Sequence, residues 1–177
     1  TDTTADLTMG LILAVTRRFR EAELELRAGQ YAGWNLTHMM GMELRNKYLG
    51  VLGFGRIGQA VARRAMAFGM RILYSDRRGR ELLNLTGMPV ELVTFDELLA
   101  QSHVVSVHVP LNGDTQHLIN DARIANMRDG AYLINTARGP VVDEAAVARA
   151  LVSGKLAGAG LDVFENEPDV HPDLLAA

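Results

Sequence analysis

The sequence predicts an α/β chain built on one doubly wound parallel sheet with helices on both faces. Three observations carry that prediction. From residue 48 onward, short apolar runs alternate with helical stretches. The runs Val51-Leu52 and Val104-Val105-Ser106-Val107 are apolar on both strand faces, as a sheet covered on each side requires. A glycine-rich turn joins the first run to the helix that follows it. With 177 residues, 48% of them hydrophobic, the chain is long enough for one well-buried core and too short for two.

Taken in order, Leu7, Leu11, Val15, Phe19, Ala22 and Leu26 recur at the spacing of a single helical face. They predict one long amphipathic helix, with Thr3 and Asp6 as a capping box and Gly29 as the stop. Residues 30–46 hold Tyr31, Trp34, Met39, Met40 and Met42 without a period and are read as an arm. Helix and arm, residues 1–46, are expected to belong to the same domain as the core that spans 47–177. Within that core, strands are predicted over 49–53, 71–75, 104–109, 131–135 and 159–163, and helices over 56–68, 95–101, 121–127 and 143–152. Gly69 and Gly154 follow two of these helices, Thr94 with Glu97 makes a capping box for a third, and Asp143 caps the last.

Gly53, Gly55 and Gly58 form Gly-Phe-Gly-Arg-Ile-Gly directly after a strand and at the start of a helix. In that context the pattern is the Rossmann-type fingerprint for a dinucleotide pyrophosphate. Gly53 permits the tight turn, Gly55 the approach of backbone to phosphate, and Gly58 close packing of helix on strand. The helix N-terminus, with its unpaired N–H groups, then faces the anion. Asp76 ends the second strand where an acid is expected on the ribose hydroxyls, which favours NAD. Arg77 and Arg78 follow at once and would suit the 2′-phosphate of NADP, which stays open as the alternative.

Val109 and Pro110 end the third strand beside the expected adenosine site, because proline cannot continue a ladder. Thr136, Ala137 and Arg138 follow the fourth strand, Asp162 closes the fifth, and Glu167 comes five residues later. Strand-end logic puts this arginine and these acids on the edge that carries the glycine turn, where a cation could grip an anionic substrate. On the residues alone, Arg138 could be an exposed turn cation, and for Glu167 the reading as a solvated acid prevails. His108 is read as packing at a strand end.

Four ordered strings resemble the D-isomer-specific 2-hydroxyacid dehydrogenases: Gly-Phe-Gly-Arg-Ile-Gly-Gln-Ala-Val-Ala-Arg-Arg-Ala, His-Val-Pro-Leu, Asn-Thr-Ala-Arg-Gly-Pro-Val-Val-Asp-Glu and Leu-Asp-Val-Phe-Glu-Asn-Glu-Pro. Within that family the chain looks most similar to glyoxylate and hydroxypyruvate reductases. The resemblance implies hydride transfer between NAD and a small 2-oxo acid. Arg138 would clamp the substrate carboxylate and polarise its carbonyl, and Glu167 would hydrogen-bond the catalytic histidine. Asp162 would hold the nicotinamide carboxamide, Thr136 and Ala137 would line the nicotinamide side, and Gly55, Arg56, Ile57 and Gly58 would cradle the pyrophosphate. The arm would form part of a homodimer contact. The family's histidine lies in a Pro-His-Ile-Gly motif that this chain does not contain, so the chain is read as a fragment lacking the substrate domain and inactive alone. Relatives acting on phosphoglycerate, lactate or phosphite, and a non-catalytic NAD(H)-sensing module similar to corepressors, are the alternatives.

Composition narrows the partners. A net charge of -3 offers no basic field for nucleic acid. The absence of cysteine excludes disulfides and thiolate metal sites, and five histidines without ligand spacing predict no metal. No apolar run approaches the roughly 18 residues of a membrane span, so a cytoplasmic location is expected.

Overall fold

The computed structural model describes residues 1–79 and 87–177. In chain order its elements are α1 (Asp2–Thr16), α2 (Phe19–Arg27), β1 (Tyr48–Leu52), α3 (Arg56–Ala67), β2 (Arg71–Ser75), β3 (Val90–Leu92), α4 (Phe95–Gln101), β4 (Val104–Val107), α5 (Asp121–Asn126), β5 (Ala131–Asn135), α6 (Glu144–Val152), β6 (Leu156–Leu161) and α7 (Pro172–Ala176). Among the described residues the strands form one parallel sheet in the order β3-β2-β1-β4-β5-β6. That is the doubly wound Rossmann arrangement, with its reversal of strand order between β1 and β4.

Alternation along each strand splits the core in two. Leu49, Val51, Ile72, Tyr74, Val104 and Ile134 face Ala60, Val61 and Ala65 of α3 and Ala5, Met9 and Ile12 of α1. Leu52, Val105, Val107 and Leu133 face Leu98 and Leu99 of α4, Ile124 of α5 and Ala146, Val147 and Ala150 of α6. Each fully buried aliphatic of this kind contributes about 1.5–3 kcal/mol.

The long first helix is interrupted. Arg18 adopts a left-handed conformation (φ 56°), which separates α1 from α2. The physical cause is the returning chain: Met42 N–H donates to the Thr16 carbonyl at 2.8 Å, and Gly41 packs on that carbonyl too closely for any side chain. The buried face of α1 is Ala5, Thr8, Met9, Ile12 and Thr16, whereas Leu7 is exposed and α2 buries none of its residues. Thr3 and Asp6 make no capping box; Asp2 and Asp6 instead accept from Arg64 of α3, at 3.0 and 2.6 Å.

Three strands also differ from expectation, and β4 is one of them, ending at Val107 instead of 109, so that Val109 and Pro110 lie in the segment after the strand. β3, only Val90-Glu91-Leu92, escapes the sequence pattern because three residues carry no period, yet it pairs with β2. β6 starts at Leu156 instead of 159 because its Gly-Ala-Gly centre lies under α1: a Cβ on Gly160 would stand 3.0 Å from Leu11 Cβ. The capping box at Thr94 and Glu97, the aspartate cap of α6 by Asp143, and positive φ at Gly69 and Gly154 are all present.

Candidate functional site

All strands run parallel, so the segments after β1, β2, β4, β5 and β6 emerge on one edge of the sheet. Gly53, at φ 91°, turns the chain out of β1, and a Cβ there would meet the His108 carbonyl group at 2.8 Å. Gly58 lies against the Gly53 carbonyl with no room for a methyl group, which lets α3 sit directly on β1. Gly55 caps α3, and a Cβ built on it reaches nothing nearer than an Arg78 nitrogen at 3.9 Å. Open space therefore stands before a twelve-residue helix whose first-turn N–H groups, those of Arg56, Ile57 and Gly58, lack intrahelical acceptors. Such a cradle fits a pyrophosphate and its charge.

A cleft of about 510 Å³ opens from this turn across β2 and β4, bringing Gly53, Gly55, Asp76, Arg77, Arg78, Val109 and Pro110 to one site. Asp76 accepts from Phe54 N–H at 2.8 Å and from Arg78 N–H at 2.9 Å, with the Arg78 Nε 3.3 Å away. Partial burial alone would raise its pKa; the two backbone N–H groups and the Arg78 guanidinium outweigh that and hold the carboxyl below its usual range. Arg77 reaches Asp114 at 3.3 Å, both exposed, a pair of little energetic weight. Phe95, Val109 and Leu118 give the cleft an apolar wall.

His108 lines the same cleft and bonds Ser106 Oγ at 2.8 Å. Desolvation pulls its pKa from 6.5 down to about 4. The ring is therefore neutral near pH 7. Between those two values the unfolded chain binds the proton more readily, so stability from this group is complete above about pH 6.5 and falls as pH drops toward 4, by at most about 3 kcal/mol. An NMR titration of the imidazole should show no midpoint above pH 5; a midpoint near 6.5 would mean that the ring is hydrated.

The second half of the edge lies beyond β5. Buried Asn135 donates from Nδ2 to the Arg138 carbonyl (3.0 Å) and accepts from Ala137 N–H (3.0 Å), bracing the turn that bears Thr136, Ala137 and Arg138. Thr136 Oγ1 lies 2.9 Å from Thr8 Oγ1, which anchors the turn to α1. Arg138 is exposed, with Nη1 on the Ala137 carbonyl. Asp162, also exposed, donates its N–H to the Asn135 carbonyl at 3.0 Å. Gly139 packs on the backbone of Phe164 and Glu165, and Phe164 N–H donates to Glu167 Oε1 at 2.9 Å. In this way the Arg138 turn and the Glu167 loop are joined, although neither lines the cleft at the glycine turn.

Sequence reasoning passed over three supports of this arrangement. Asn135 was visible as the one amide in an apolar strand, and Thr8 as a polar residue on a small-residue helical face. Glu144, buried at the start of α6, stood beside Asp143 and was hidden by the capping signal. Among the described residues no group of three or more His, Asp or Glu could hold a metal ion, and no helix is long and apolar enough to cross a membrane.

Residues 9–177 match the family model described as D-isomer specific 2-hydroxyacid dehydrogenase, NAD binding domain. A glyoxylate reductase of Thermofilum pendens is 50% identical over 169 residues, covering 95% of this chain and 50% of that protein. A hydroxypyruvate reductase of Thermotoga maritima is 48% identical over 164 residues, 93% of this chain and 51% of that protein. The chain thus spans about half the length of these curated relatives. The crystal structure of a glyoxylate reductase from Paecilomyes thermophila superposes with a TM-score of 0.88 at 44% identity, over 99% of this chain and 52% of the other. D-Lactate dehydrogenase from Aquifex aeolicus, complexed with NAD and lactic acid, superposes with a TM-score of 0.86 at 38% identity, over 98% and 54%. The glycine cradle, the strand order and these likenesses lead to one conclusion: the chain belongs to the D-isomer specific 2-hydroxyacid dehydrogenase family, as an NAD-binding domain.

Proposed function

We propose that the protein containing this chain reduces a small 2-oxo acid, glyoxylate or hydroxypyruvate, to the D-2-hydroxy acid. The observation that carries the reading is a single edge of the sheet that bears both the glycine cradle and the Arg138 turn. NADH, when bound, would supply the hydride. Gly53, Gly55, Arg56, Ile57 and Gly58 would hold its pyrophosphate, Asp76 a ribose, Val109 and Pro110 the adenosine side, and Thr136, Ala137 and Asp162 the nicotinamide end. Arg138 would grip the substrate carboxylate and stabilise charge on the carbonyl oxygen. Glu167, with only Oε1 engaged among the described residues, would hold a protonated histidine, since a nearby carboxylate favours the charged imidazole.

NAD is preferred over NADP in this proposal because the Asp76 carboxylate would repel a 2′-phosphate. Arg77 and Arg78 leave NADP as a weaker cofactor. The protein is also proposed to be a cytoplasmic homodimer, in which the helix and arm of residues 1–46, part of the same domain as the core of 47–177, supply part of the contact between subunits. Supporting that, Phe19, Leu24, Leu26, Leu36 and Met40 are exposed, and Trp34 is 83% exposed, on one helix and the arm after it. No cysteine calls for an oxidising compartment.

The test is a panel of 2-oxo acids with NADH and NADPH on the full-length protein, with its mass measured by light scattering in the same preparation. Expected are fastest turnover of glyoxylate or hydroxypyruvate with NADH and a mass of two subunits. Tight NADH binding without turnover of any 2-oxo acid would replace the enzyme by a cofactor sensor, and a monomer would remove the dimer.

A further inference from the structure

Glu144 opens α6 and is 4% exposed. A carboxylate so buried requires strong donors. Among the described residues it has no cationic partner and takes backbone N–H groups instead: Oε1 accepts from Glu165 at 2.6 Å and Oε2 from His171 at 3.1 Å. In return the Glu144 N–H donates to Glu165 Oε1 at 2.9 Å, an oxygen that also lies 3.2 Å from His117 Nε2. The segment bound in this way is the one that carries Glu167. Its other support is Gly139, where the absent side chain admits the Phe164 carbonyl, and Phe164 N–H in turn sets the Glu167 carboxylate.

We infer that Glu144 is a positioning residue that locks the loop bearing Glu167 against the turn bearing Arg138 and so fixes the separation of those two groups. The inference rests on the roles given to Arg138 and Glu167 in the proposed function. A carboxylate suits the task because its two oxygens accept from two separate points of the loop, and charge-assisted bonds of this kind are roughly twice as strong as neutral ones. Glu144 reaches neither the glycine cradle nor the Asp76 cleft, so its effect should fall on turnover and leave cofactor binding alone.

In the full-length protein, Glu144→Gln keeps the size of the side chain but turns one acceptor into a donor facing an N–H. Expected is a fall in kcat of about 10- to 100-fold, with NADH affinity within about threefold of wild type. The amides of Glu165 and His171 should exchange with deuterium about tenfold faster, while those of Val105 and Val107 are unchanged. If the glutamine variant does not fold, Glu144→Asp is the substitute: one methylene shorter, it cannot reach both donors, and kcat should fall at least about threefold. Unchanged kcat, or NADH affinity lost in step with kcat, overturns the inference while the proposed activity stands. A wild-type protein inactive on every 2-oxo acid overturns the proposed function itself, and the inference with it.

Discussion

Arg138→Ala in the full-length protein lowers kcat/KM for the 2-oxo acid by about a thousandfold, roughly 4 kcal/mol of transition-state stabilisation, and changes NADH affinity by less than about threefold. The expectation follows from where the guanidinium stands. It is solvent-exposed, its backbone is held by Asn135, and among the described residues only the neighbouring Ala137 carbonyl takes one of its donors. A planar fork with free donors can bind a carboxylate through two parallel bonds and meet charge as it grows on the adjacent oxygen. Arg138→Lys keeps the charge and loses the fork, so it should recover only part of the lost rate. Steady-state kinetics on both variants, together with NADH titration followed by Trp34 fluorescence, check the claim. If cofactor affinity and turnover fell equally, Arg138 would be a cofactor contact and the substrate clamp would have to be sought elsewhere.

The parts of this site that could be read in the sequence are those set by neighbours along the chain. Gly53, Gly55 and Gly58 are legible because the turn, the cap and the helix packing fall within six consecutive residues. Thr94 with Glu97, and Asp143 with Ala146, are legible for the same reason: a cap closes within one helical turn. What stayed hidden depends on residues far apart. The break at Arg18 needs Met42 to claim the Thr16 carbonyl, and helical periodicity through residues 7–26 carries no trace of that competitor. β6 reads poorly because glycines at 158 and 160 serve the approach of α1 and not the strand's own propensity. Glu144 reads as an ordinary first-turn acid until the loop 21 residues later donates to it. The positions that join the two halves of the edge are thus the ones for which local pattern gives least warning.

Gly139 offers the sharpest test of that junction. A Cβ there would overlap the Phe164 carbonyl and the Glu165 nitrogen, all of them backbone atoms that cannot swing aside as a side chain could. Gly139→Ala should therefore destabilise the protein by about 3 kcal/mol, the scale of forced overpacking, or about 6–12 °C in Tm for a domain of this size. Because relief requires the Phe164 segment to move, and Phe164 N–H holds Glu167, kcat should fall about 100-fold even where the variant is fully folded. NADH affinity should fall much less than kcat, since Gly139 does not line the cleft that holds Gly53, Gly55 and Asp76. Gly10→Ala is the control: its Cβ meets nothing within 4 Å on helix α1, so the substitution should stabilise by up to about 1 kcal/mol through helix propensity alone. Thermal melts and single-turnover rates on the two variants separate the cases. Were Gly139→Ala as stable and as active as wild type, the loop carrying Glu167 would not rest on the Arg138 turn, and the coupling of acid to guanidinium would lose its structural basis.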